Sequence, residues 1–375
     1  MKNTFIKLLF VLLAVSFTSK LIYAEDVERT FKVSKQNTLD VKVNYGNVNV
    51  FTWDKDEVKI HAKNVDSDEL KKLYIEQKGS VVTVQFTGRD SRKFSVDIWI
   101  PVQFNVNAKT GGGNVKMNDI LSGRVSISTS GGNISTSKIN GQVEISTSGG
   151  NITCSDIDGN IDASSGGGDI KLTGVTGLID VSTAGGNITV GKAGKSADIS
   201  TAGGNINVSD VGGNADISTA GGNISVGHVN GTADISSGGG NINVSGSKGK
   251  VEVSTGGGNV NLKNIGGGVD ATTGAGKINV ELTTDFRQSS SISTAAGDII
   301  LTVPDNIKVS IIATVTAGFI DKSDKGYIYI KSEFDGLKYD VDHSNREVVA
   351  RLDLNGGGPT IELETNLGKI EIKKK

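Results

Sequence analysis

The chain is poor in the residues that build a bulky or a crosslinked core. Among its 375 residues there is one cysteine and there are three prolines, and only 5% are aromatic. With Cys154 alone, no internal disulfide can form. So few aromatics argue against an enzyme core, which draws much of its volume from them. The near absence of proline excludes a collagen-like triple helix, which needs glycine at every third position together with abundant proline. Charge of one sign is missing too: 39 basic residues face 41 acidic ones, a net of −2, so no basic field invites nucleic acid. The longest apolar run, Leu8 to Phe17, has ten residues, and a bilayer span takes about 20.

That run follows Lys2 and Lys7 and precedes Ile22-Tyr23-Ala24, the pattern of a secretory leader cleaved after Ala24. Residues 1–24 are therefore expected to be removed on export to the periplasm, the cell surface or the medium. The leader takes three lysines with it, which moves the formal charge from −2 to −5. No cysteine near the cleavage site offers a lipid attachment point, and no later segment reads as a membrane span.

What the chain has in excess is glycine, 51 residues, and it recurs with a fixed period. Units of the Gly-Gly-Asn-Ile type place their third residue at Asn114, Asn133, Asn151, Asp169, Asn187, Asn205, Asn223, Asn241, Asn259 and Lys277. The first interval is 19 residues and the next eight are 18. A short exact period means a solenoid. One residue beyond this column stand Ile134, Ile152, Ile170, Ile188, Ile206, Ile224 and Ile242; three beyond it stand Cys154, Leu172, Val190, Val208 and Val226. Six beyond it come Ile120, Ile139, Ile157, Val175 and Val211, and the second half of the unit repeats the alternation, as in Ala215 and Ile217. Apolar residues at i and i+2 are strand periodicity, and β-branched side chains suit strands. Glycine at the corners is expected to supply positive φ.

The expected fold is all-β: a single-stranded parallel β-helix, a β-solenoid of 18-residue turns. Each turn has two short strands, the winding is expected to be right-handed, and irregular β capping regions flank the coil. The domain reading is a leader (1–24), an N-terminal β cap (25–108), the regular repeats (109–280) and a C-terminal solenoid and cap (281–375). Cys154 falls in an apolar column and reads as a small core residue. The Asp66 to Lys72 stretch reads as a helical turn.

The flanks carry Tyr45-Gly46-Asn47-Val48 followed by Trp53, a strand leading into Pro101, Gly297-Asp298-Ile299 running to Pro304, and Gly368-Lys369-Ile370-Glu371-Ile372. With the Gly-Gly-Asn-Ile array, these motifs resemble the “putative adhesin” family of bacterial β-strand-repeat proteins, a domain of unknown function. The resemblance implies an exported or cell-envelope β-helix with adhesion inferred from its shape, and it carries no catalytic residues.

The glycines lack the Lys-Ser/Thr pair and helix start of a phosphate-binding loop. His61, His228 and His343 lie too far apart in sequence for a His/Cys metal site, and His228 falls at an outward corner. Eleven residues after the Asn column stand Glu144, Asp162, Asp180, Asp198, Asp216, Asp234, Glu252 and Asp270. Each lies between two inward residues, so the eight form an outward acidic stripe. The stripe is a candidate for condensing divalent cations such as Ca²⁺ or for docking a basic partner, although no cofactor is firmly expected. The leading reading is a non-enzymatic scaffold that binds a surface polymer, glycan or protein. The alternatives are a Ca²⁺-binding coil and a glycan- or ice-binding lattice of Ser-Thr pairs (Ser146-Thr147, Ser182-Thr183, Ser200-Thr201, Ser218-Thr219, Ser254-Thr255). A polysaccharide-active β-helix enzyme is the weakest, since Arg124 is the only arginine between residues 93 and 286.

Overall fold

In the computed structural model residues 24–88, 94–318 and 326–375 are described. The expected leader lies outside them except for Ala24. Strand is almost the only regular structure of the described residues, with one 3-10 turn at Leu70–Lys72 inside the stretch read as helical.

Each 18-residue turn lays down two strands. Ile206–Val211 and Ala215–Thr219 represent them, with the Gly-Gly-Asn corner before the first. Successive first strands pair in parallel, Ile206 beside Ile224 and Val208 beside Val226. Successive second strands do the same, Ala215 beside Ala233 and Ile217 beside Ile235. The coil therefore has two parallel sheets facing each other across one core, its turns about 4.8 Å apart. Ile206, Val208, Val211, Ala215 and Ile217 are buried, while Asn207 and Asp216 between them are exposed. The array core is aliphatic, and the large rings sit at the ends, with Phe86 stacked on Phe94 at 4.2 Å.

One apolar assignment is corrected. Ile120 is 60% exposed, and Leu121 takes the core position beside Ile139. The extra residue of the 19-residue interval falls before this position, so counting from Asn114 lands one residue short.

The expected positive φ occurs at Gly141 and Gly159, in the corner before the second strand, with φ of 152° and 156°, but not in the Gly-Gly-Asn corners. The second glycine of each Gly-Gly-Asn unit in the regular array keeps ordinary φ. What excludes a side chain there is close approach: a Cβ on Gly222 would lie 1.9 Å from the Gly204 carbonyl oxygen. The column is a stack of bare backbones, each seated on the one before. Beside it runs a column of buried hydroxyls. Thr219 Oγ1 donates to the Gly204 carbonyl at 3.0 Å and accepts from the Gly222 N–H at 3.2 Å. The Asn column forms a ladder, with Asn205 Oδ1 accepting the Asn223 N–H at 2.8 Å.

At both ends stacking order departs from chain order. The turn made by Thr38–Val43 and Asn47–Trp53 does not end the coil. Val41 lies between Val84 on one side and Ala108 on the other, so a later turn is stacked outside an earlier one. Antiparallel strands Ala24–Lys32, Glu57–Asp66 and Leu73–Lys78 close that end. The C-terminal end mirrors this, with Thr360–Leu367 inserted between Ser290–Ala296 and Val309–Thr316.

Candidate functional site

The eight acidic residues singled out in the sequence stand in one file on the outer face of the second sheet. Glu144 neighbours Asp162, and the file continues through Asp180, Asp198, Asp216, Asp234 and Glu252 to Asp270 without a register shift. Alternation fixes this: inward Ala215 and Ile217 leave Asp216 no direction but outward. The file is flanked by the outward serines Ser146, Ser164, Ser182, Ser200, Ser218, Ser236 and Ser254, again in register.

Cations hold only the ends of the file. Arg124 reaches Glu144 at 4.0 Å, and Lys250 bridges Glu252 at 2.7 Å and Asp270 at 2.6 Å. These two carboxylates raise the Lys250 pKa. Asp162, Asp180, Asp198, Asp216 and Asp234 have no ion pair among the described residues. Within that central run Asp162, Asp198 and Asp234 are pushed above the ordinary aspartate range, first by partial burial and then by the charges on both neighbours. At about 4.8 Å separation two unit charges repel by about 0.9 kcal/mol even in water. Along the run lies a trough of about 590 Å³, lined by the aspartates together with Asn160, Leu178, Ser196, Asn214 and Thr232. Arg124 and Lys250 were not singled out as part of the site. Lys250 was legible, because a residue two before Glu252 on a strand shares its face.

Other candidates resolve differently. Among the described residues no three of His, Cys, Asp and Glu converge as a metal cage, so a cation on the file would be held between carboxylates in a row. The lattice of Ser-Thr pairs does not exist as a surface, since Thr147, Thr183, Thr201, Thr219 and Thr255 are buried in the corners and only the serines face out. Cys154 is buried, accepts a hydrogen bond from Thr136 Oγ1 at 3.2 Å, and has its pKa pushed up to about 11 by burial. That disfavours the thiolate a nucleophile needs. His228, expected at a corner, is instead exposed on the strand Ile224–Val229, 3.4 Å from Asp210. Among the described residues no helix is long and apolar enough to cross a membrane.

Fold and face together define a parallel β-solenoid with one long acidic file. Residues 192–349, less than half of the chain, match the family described as Toastrack DUF4097, and the chain resembles an adhesin-like family of unknown function, as its motifs imply. No curated protein matches the sequence. Among solved structures, a “putative cell adhesion protein” from Clostridium sporogenes aligns over 94% of this chain and 100% of its own at 8% identity, with a TM-score of 0.18. A “putative adhesin” from Bacteroides fragilis covers 94% and 97% at 12% identity, with a TM-score of 0.21. A “putative lipid binding protein” from Parabacteroides distasonis covers 72% and 98% at 11% identity, with a TM-score of 0.29. At these identities and scores none of the three bears on what this chain binds.

Proposed function

We propose that the chain is an exported, non-enzymatic scaffold that adheres to a cell-envelope or surface polymer through the outer face of its second sheet. The observation that carries this reading is the file of aspartates from Asp162 to Asp234, unpaired and in register over successive turns. A repeated charge costs stability in the coil, and aspartate is a poor strand former, so neither propensity nor folding accounts for it. A rigid row of equal charges suits a ligand that is itself repetitive, because each further contact is made at high effective concentration. The partner is then a polymer or protein surface presenting cationic groups.

The test is retention of the purified chain on isolated envelope material at low and high salt. The reading predicts salt-sensitive retention that is lost when Asp180, Asp198, Asp216 and Asp234 are all changed to Asn. Equal retention of the quadruple variant would remove the file from the binding surface.

A second reading is favoured by the spacing of the file, in which carboxylates stand in register about 4.8 Å apart: the file condenses divalent cations, which relieve the repulsion and bridge to an anionic polymer. Calorimetric titration with Ca²⁺ separates the two. The cation reading predicts heat of binding at millimolar Ca²⁺ and a raised melting temperature, both absent in the quadruple variant.

A further inference from the structure

Residues 360–374 fill a slot. On one sheet Ile361, Leu363 and Thr365 pair with Ser290, Ile292 and Thr294 on one side, and with Ile311, Ala313 and Val315 on the other. On the opposite sheet Ile370 and Ile372 lie between Ile299 and Leu301 on one side and Ile330 and Ser332 on the other. Ile361, Leu363, Ile370 and Ile372 are at most 1% exposed, so the segment supplies a full core layer. The outer wall of the slot has little else to rest on. Among the described residues Ile330–Ser332 forms a strand ladder only with this segment, and Val309–Thr316 has only antiparallel Glu347–Leu354 besides it. The way into the slot is a bend from Asn355 to Pro359. There Asn355, Gly356 and Gly357 have φ of 52°, 89° and 78°, and Asn355 Nδ2 donates to the carbonyls of Asp305 and Ile307.

We infer that residues 360–374 are a closing wedge, which enters after both walls exist and locks the C-terminal end of the coil against unwinding. A coil stacked in chain order ends on a turn held by one neighbour, and load or a protease can peel it turn by turn. Here a pull on Lys375 must break a ladder on each side of both wedge strands. Once the wedge leaves, the outer wall has lost its parallel partner on both sheets, so the end gives way as one unit. The inference stands apart from the proposed binding function, since it concerns how the coil holds under load whatever it binds.

The experiment is a single-molecule pull on the full chain, with one handle on the exposed corner variant Lys195→Cys and the other at Lys375, so that only the C-terminal half bears load. Peeling in chain order gives steps of one turn from the outset, about 60 Å of released chain at roughly 3.4 Å per residue. The wedge predicts a first step of about 240 Å by the same conversion, as residues from 304 onward release together. A first step of one turn would overturn it. Hydrogen exchange on the unmodified chain gives a second readout. Amides of residues 361–366 should exchange as slowly as those of 206–210, and those of 338–342 faster. A wedge exchanging as fast as 338–342 would overturn the inference without any variant.

Discussion

Adjacent glycines in one corner play opposite parts. A Cβ on Gly222 would strike the Gly204 carbonyl at 1.9 Å, whereas one on Gly221 meets nothing within 4 Å. Gly222→Ala should therefore destabilise by about 3 kcal/mol or more, the upper range for forced overpacking, and Gly221→Ala should stay within about 0.5 kcal/mol of the parent. Thermal melts of the two variants check this. Thr219→Val keeps the volume but strands the Gly222 N–H and the Gly204 carbonyl, each costing about 1–3 kcal/mol when buried without a partner. Register is testable one position apart: Ile206→Asp puts an unpaired carboxylate in the core and should unfold the coil locally, while Asn207→Asp on the exposed side should be nearly neutral. Matching melting shifts for those two substitutions would place the register off by one. The sequence shows that these glycines recur, but close approach and positive φ leave the same trace in it. Only the stacked carbonyls distinguish them. Ile120 was misplaced for a similar reason: a column count is blind to where an extra residue is inserted.

At the level of elements, the strands of residues 125–282 were legible because alternation and period agree over every turn. Deleting residues 205–222 removes one period and joins Gly204 to Asn223, so every column stays in register. The shortened chain should remain a cooperatively melting β-solenoid, since each turn contacts only its neighbours, and circular dichroism with a melt decides it. The ends were only half legible. Tyr45-Gly46-Asn47, Gly297-Asp298 and Gly368-Lys369 read as separate motifs, yet they occupy the same corner column as the array. Asn47 Oδ1 accepts the Asn114 N–H at 2.9 Å, and Asp298 Oδ1 accepts the Lys369 N–H at 3.0 Å. The motifs were recognisable because each makes the same corner. Their stacking order was not, because equivalent corners can be layered in any order that satisfies both ladders.

At the scale of the molecule the acidic file was fully legible, since outward alternation and an 18-residue period suffice to line it up. Its cationic ends leave no periodic trace, because Arg124 and Lys250 each occur once, and only the place of Lys250 two residues before Glu252 points to one of them. The file also sets a pH dependence. Asp162, Asp198 and Asp234 hold their protons above the ordinary value of 3.8. The stability they add is full below that value and is lost as pH rises through the raised ones. Asp342 runs the other way, lowered to about 2 first by the Ser344 hydroxyl and then by the Asn345 and Ser344 amides. The quadruple Asn variant, which removes Asp198 and Asp234 and keeps Asp162, should thus lose most of the gain in stability that the parent shows as pH falls toward 4, a comparison made by melts across that range.

The most direct measurement of the central claim, that the aspartates face outward in one uncompensated row, is the melting temperature of the metal-free parent against the quadruple variant Asp180→Asn, Asp198→Asn, Asp216→Asn and Asp234→Asn. At low ionic strength the variant should melt higher by a few degrees, at about 2–4 °C per kcal/mol for domains of this order of size. The gap should narrow in 1 M salt, where screening acts within about 3 Å. Equal melting temperatures at low salt, or a variant that melts lower, would contradict the account.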